Sequence, residues 1–132
     1  MNKTVFSAIF TGVALMGEPA HAFEVPEISL VEKINQSSLV AIGRVSAINA
    51  ESCLIYYNCA KVEVSKILKG HSERNIQVRF GGELIELRPN CCDVGKTYMF
   101  YLKNGAQGIY ESVNPPHGIF EIPTSPASGT AK

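Results

Sequence analysis

Cys59-Ala60-Lys61-Val62-Glu63-Val64-Ser65-Lys66-Ile67-Leu68-Lys69-Gly70 is the longest unbroken strand-like run in the 132-residue chain. Val62 and Val64 alternate with Lys61, Glu63 and Ser65, the period of two expected of a strand with one buried and one wetted face. The alternation breaks at Lys66, and Ile67 and Leu68 follow in succession, so the pattern predicts a bulge or bend that turns the strand end toward a second layer. Long kinked strands of this kind turn the corners of small barrels.

Other strand-like runs flank it. Leu39 to Ile48 is aliphatic and β-branched, with Gly43 marking a bulge or bend and Arg44 and Ser46 on one solvent-facing side. Beyond the polar turn after Gly70, Ile76, Val78 and Phe80 alternate with Gln77 and Arg79. Gly81-Gly82 then reads as a two-residue hairpin turn. In that register Phe80 faces Glu83, Val78 faces Ile85 and Ile76 faces Leu87, which puts both apolar sets on one face. Thr97 to Leu102 is apolar on both faces, as in an enclosed strand. Ile109 to Val113 and Ile119 to Ile122 read as a final hairpin around Asn114 to Gly118. The single helix expected in the mature chain is short: Ser29 and Glu32 form a capping box, and Leu30, Val31 and Ile34 supply an apolar side. The class is all-β with one short N-terminal helix and an extra C-terminal hairpin.

Residues 1–22 read as an export signal, with Lys3 in a positive n-region, Val5 to Met16 as the apolar h-region and Ala20-His21-Ala22 as a small-x-small cleavage site. Cleavage between Ala22 and Phe23 leaves one domain over 23–122, roughly 110 residues with its tail. No membrane insertion is expected after processing, because the h-region is shorter than the ~20 apolar residues of a membrane helix. Pro123 to Lys132 is Pro, Ser, Thr, Ala and Gly with little to bury, and reads as a disordered tail. Twelve Lys and Arg balance twelve Asp and Glu, and no basic stripe of the kind nucleic-acid binders carry is present. A periplasmic or secreted location follows, with an exported protein or cell-envelope component as the expected partner.

Four cysteines, Cys53, Cys59, Cys91 and Cys92, remain in this exported chain, where disulfides are the default. One pair is spaced too widely and the other is adjacent, unlike the Cys-x2-4-Cys knuckles of structural zinc. Gly95-Lys96-Thr97 resembles the end of a phosphate loop, but Asn90 stands where the first Gly belongs and a strand follows. His71 and His117 sit in turns with no neighbouring pattern that nominates a nucleophile and an orienting group. No enzyme activity and no cofactor are therefore expected. The unusual connection is Asn49 to Asn58. Between its cysteines lie Leu54, Ile55, Tyr56 and Tyr57, which form either a rigid ligand-binding surface or a strand continuation folded over the barrel mouth.

Leu39 to Val45, Val62 to Gly70 and Cys92 to Leu102 together resemble small exported bacterial relatives of the tissue-inhibitor-of-metalloproteinases and netrin-like domains, over roughly Leu39 to Leu102. That resemblance implies a small OB-like barrel of five main strands. The inhibitors act through a mature N-terminal Cys; here the mature end is Phe23-Glu24-Val25-Pro26, so no inhibitory residue carries over. OB barrels bind at rim loops, which points to Asn49 to Asn58 and Lys103 to Gly108 in a non-enzymatic binding module. The alternatives are a protease inhibitor using another loop and an enzyme of unknown class. Strand one of such a barrel pairs with strand four, which brings both cysteine-bearing connections to one pole. The strain of an adjacent-cysteine ring and the larger entropy of long loops favour bridges from Cys53 and Cys59 to Cys91 and Cys92. The competing pattern joins Cys53 to Cys59 and leaves Cys91 and Cys92 as a vicinal bridge or free thiols.

Overall fold

The computed structural model describes residues 24–50 and 53–124 together with Gly12. The expected leader apart from Gly12, its expected Ala22–Phe23 cleavage site and residues 125–132 of the expected tail lie outside the described residues. Helix α1 (Leu30–Gln36) precedes strands β1 (Leu39–Ile48), β2 (Asn58–Lys69), β3 (Asn75–Phe80), β4 (Thr97–Lys103), β5 (Glu111–Ser112) and β6 (Ile119–Ile122). They form a mostly β structure around one six-stranded antiparallel sheet, ordered β3-β2-β1-β4-β5, with β6 also on β4. The named strands do not close into a ring.

Strand β2 is the long member, and it bulges where the apolar alternation fails. Ile42 pairs with Lys66 and Gly43 with Val64, so Ser65 is skipped, and its hydroxyl donates to the Ile42 carbonyl at 3.1 Å. Gly43 is required there because a Cβ would stand 2.5 Å from Val62 Cγ1 and 3.0 Å from the Glu63 carbonyl oxygen. Leu39, Ala41 and Val45 of β1 pack with Val62, Val78, Tyr98, Phe100 and Leu102 in the main core. Val40 and Tyr101 point the other way and form a second cluster with Val113, flanked by Ile28 and Met99. Strand β4 is thus covered on both faces. Arg44 and Ser46 face solvent.

The expected hairpin at Gly81-Gly82 does not form. One edge of β3 is taken by β2, and the other meets Tyr110. The Tyr110 N–H donates to the Gln77 carbonyl and the Arg79 N–H to the Tyr110 carbonyl, both at 2.9 Å, in a parallel bridge between Val78 and Tyr110. No edge remains for residues 83–87, which make a 3-10 turn over Ile85–Leu87 instead. The expected final hairpin is also absent: β5 and β6 each pair with β4 rather than with each other.

Helix α1 starts at the expected cap, with the Glu32 N–H donating to Ser29 Oγ at 3.2 Å. Its orientation is the reverse of that expected, since Leu30, Val31 and Ile34 are exposed and Lys33 is only 4% exposed. The inward positions, Lys33 and Ser37, are polar but satisfied. Lys33 Nζ reaches Glu27 at 2.5 Å and stands 4.6 Å from the Phe120 ring centre. The Ser37 hydroxyl donates to the Lys33 carbonyl.

Cys53 pairs with Cys59 across a Cα separation of 5.6 Å, and Cys91 pairs with its neighbour Cys92. The cross-linked connectivity expected from strain is therefore corrected, although the two connections do share a pole, with Tyr56 and Cys91 lining one groove. Proximity of loops and proximity of sulfurs are separate matters. Hydrogen bonds at the mouth of the β1–β2 connection, from Asn49 N–H to the Cys59 carbonyl at 2.7 Å and from Cys59 N–H to Asn49 Oδ1 at 2.8 Å, fix Cys59 beside its own loop.

Candidate functional site

The β1–β2 connection carries the Leu54–Tyr57 turn, closed by the Tyr57 N–H donating to the Leu54 carbonyl at 3.1 Å. Tyr56 adopts a left-handed φ of 68° at its apex. Ile55 is 78% exposed, Tyr56 73% and Tyr57 37%, while Leu54 is half-buried. These side chains do not fold over the core. The disulfide closes the base of the turn, so a short apolar loop projects into water from a stapled stem.

Tyr57 is the inner member of the pair. Its ring lies 4.4 Å from the Arg79 guanidinium carbon, a cation–π distance. Arg79 also pairs with Glu111, whose other oxygen meets Lys103 Nζ at 3.3 Å. The ring backs onto Gly82, where a Cβ would stand 3.1 Å from Tyr57 Cε1 and φ is +118°, a backbone conformation that favours glycine. β3, β4 and β5 thus contribute Arg79, Lys103 and Glu111 to one brace beneath the turn. The Arg79–Glu111 pair is neutral as a unit, and the surface above it is offered mainly as apolar contact.

A groove of about 270 Å³ runs between this turn and the segment after β3, lined among others by Tyr56, Tyr57, Leu84, Leu87, Pro89 and Pro115. Leu84 and Ile85 are themselves exposed, which extends the apolar rim. Arg79 and the Leu84–Leu87 rim were not legible as site residues, because the hairpin reading assigns residues 76–87 to two paired strands, and Glu111 was not, because it falls in the expected final hairpin. A signal was present: Leu84 and Ile85 are apolar in succession, which a strict period of two does not produce.

No family model matches the chain. A search of the curated proteins finds no match either.

Lys103 of the second rim loop, Lys103 to Gly108, meets Glu111 beside this groove, but none of residues 103–108 lines it. The loop turns through a 3-10 segment, Ala106–Gly108, and Gln107 and Gly108 line a different groove with His71. His117 is used structurally: its Nε2–H donates to the Val25 carbonyl at 2.7 Å. The Asn114 carboxamide holds the same segment through Ile28 N–H at 3.0 Å and the Pro26 carbonyl at 3.1 Å. In the Gly95-Lys96-Thr97 stretch, the Gly95 N–H is spent on the Val45 carbonyl and the Lys96 N–H on the Asp93 carbonyl. Lys96 Nζ is paired with Asp93 at 3.2 Å and Glu121 at 3.3 Å; these two carboxylates, Asp93 foremost, raise its pKa. The Gly95 and Lys96 amides are thus not free to cradle a phosphate.

Among the described residues, no group of three or more His, Cys, Asp or Glu is placed to hold a metal ion. No helix among them is long and apolar enough to cross a membrane.

Proposed function

We propose that the protein is an exported, non-enzymatic binding module, an OB-like barrel similar to netrin-like domains. Its contact surface for an exported protein or cell-envelope component is the Leu54–Tyr57 loop with the adjoining Leu84–Leu87 rim. The observation that carries this reading is an apolar turn that is exposed and yet braced, by a disulfide at its base and by Tyr57 on Arg79 and Glu111 at its side. Exposed contiguous apolar surface marks interaction sites, and a turn held in place loses less entropy on binding than a free one. The barrel reading is supported by the parallel bridge at Tyr110, which joins β3 to the segment leading into β5. Export is supported by the leader pattern and by the Cys53–Cys59 bridge, since such bonds persist in oxidising compartments.

Site-specific photo-crosslinking from position 55 in the exported protein tests the reading. A discrete adduct with an envelope or secreted protein, lost on Tyr56→Ser while the fold is kept, is the expected result. An adduct pattern unchanged by Tyr56→Ser, or none above that of a probe at the exposed Ser46, which lines neither the turn nor its groove, overturns it. A protease panel run beside it separates the inhibitor class: inhibition abolished by Tyr56→Ser would make the partner a protease.

A further inference from the structure

A second groove, sharing no lining residue with the apolar one, opens beside β3 between the His71–Glu73 turn and the loop that ends at Tyr110, with a volume of about 750 Å³. That lies within the ~300–1,000 Å³ typical of small-molecule sites. Its far wall is fixed rather than loose. The two Tyr110 backbone bonds to β3 clamp one end, and the Ile109 N–H donating to the Ala106 carbonyl at 3.1 Å closes the turn.

On that wall Gln107 sits at φ 59° and ψ 29°, the left-handed region that glycine occupies most easily. Gly108 follows at φ 74°, so the two residues are the centre of the tight turn closed by the Ile109–Ala106 bond, and the exposed Gln107 side chain is carried on a rigid backbone. Opposite it, Asn75 supplies a second carboxamide and His71 an imidazole, Tyr110 on the same wall as Gln107 supplies a phenol, and Lys61 and Glu73 bring one charge of each sign. Ile76 and Ile109, both buried, form an apolar underlayer among the same lining residues.

This chemistry is selective. A lining with balanced charge does not concentrate anions or cations. Carboxamides, imidazole and phenol each donate and accept, which suits a ligand whose groups do both at once, and hydroxyls do so. An apolar underlayer suits the C–H face of a ring. We infer that this groove is a saccharide site that takes a short neutral oligosaccharide, independently of whatever the Leu54–Tyr57 loop contacts.

Titration of the ¹⁵N-labelled exported protein with maltotetraose and with chitotetraose, each against the anionic tetragalacturonate, tests it by chemical-shift mapping. The expected result is saturable shifts at the Gln107, Gly108 and Tyr110 amides and the Asn75 and Gln107 carboxamides with at least one neutral saccharide. Gln107→Gly, which removes the carboxamide and suits the left-handed backbone, is expected to weaken binding about tenfold without lowering the melting temperature. The inference is overturned by any of four results: no saturable shift with either neutral saccharide at about 10 mM, tighter binding of tetragalacturonate, shifts confined to Leu54–Tyr57, or wild-type affinity in Gln107→Gly.

Discussion

Tyr56 and Tyr57 are neighbours in sequence, but their replacement by Ser is expected to do different things. Tyr57 is 37% exposed, so roughly 60% of its surface is covered. Full burial of a large apolar side chain is worth about 1.5–3 kcal/mol, and the covered fraction therefore contributes about 1–2 kcal/mol, an upper bound because the unfolded chain is not fully extended. The Arg79 guanidinium at 4.4 Å adds about 0.5–1 kcal/mol. Tyr57→Ser should then cost about 2 kcal/mol. At 4–8 °C per kcal/mol for a domain near this size, melting should fall by about 10 °C. Tyr56, 73% exposed, should stay within about 0.5 kcal/mol of wild type on the same substitution, while losing the partner adduct. Thermal melts followed by far-ultraviolet circular dichroism measure both. A double-mutant cycle of Tyr57→Ser with Arg79→Met should return a coupling of about 0.5–1 kcal/mol. If Tyr57→Ser melts with the wild type, or Tyr56→Ser falls as far as Tyr57→Ser, the division into brace and contact is refuted.

The Cys53–Cys59 bridge spans a sequence separation of 6, and closing so short a loop is worth only about 2 kcal/mol, against about 4 kcal/mol for a loop of several tens of residues. Cys53→Ser with Cys59→Ala should therefore lower the urea-extrapolated stability by about 2 kcal/mol, and non-reducing peptide mapping should return a Cys53–Cys59 peptide. A loss near 4 kcal/mol would indicate a longer loop. The Glu27 carboxyl is held below its ordinary value of 4.5, first by the hydrogen bond from Lys33 and then by the charges of Lys33 and His117, against a smaller opposing effect of burial. A depressed carboxyl stabilises fully above its unfolded value and loses that contribution as pH falls through its folded one. Glu27→Gln should thus melt below wild type by a constant interval at neutral pH, and the interval should close on acidification below 4.5. An interval that persists in acid would show that the Glu27–Lys33 pair is not its cause.

How much of this was legible in the chain depends on how local the cause is. Alternation placed β2 and β3, because a strand's period of two is a property of its own backbone, and continuous aliphatic or aromatic runs placed β1 and β4. The bulge at Ser65, the two-faced burial of β4 and the cap at Ser29 are equally local. The apolar turn Leu54 to Tyr57 could be picked out by composition, but its exposure could not, since exposure depends on what the rest of the fold leaves uncovered. Only the tertiary structure decided what the strand edges met. Tyr110 takes the free edge of β3, which turned residues 83–87 from a strand into the rim of a groove, and β4 collects both β5 and β6. It also decided that Lys33 faces inward, because Glu27 and Phe120 arrive from elsewhere to satisfy it, and that each cysteine pairs within its own connection. Pairing partners are settled by competition among distant segments for the same edges and cavities. A sequence pattern reports the preferences of a segment but not the outcome of that competition.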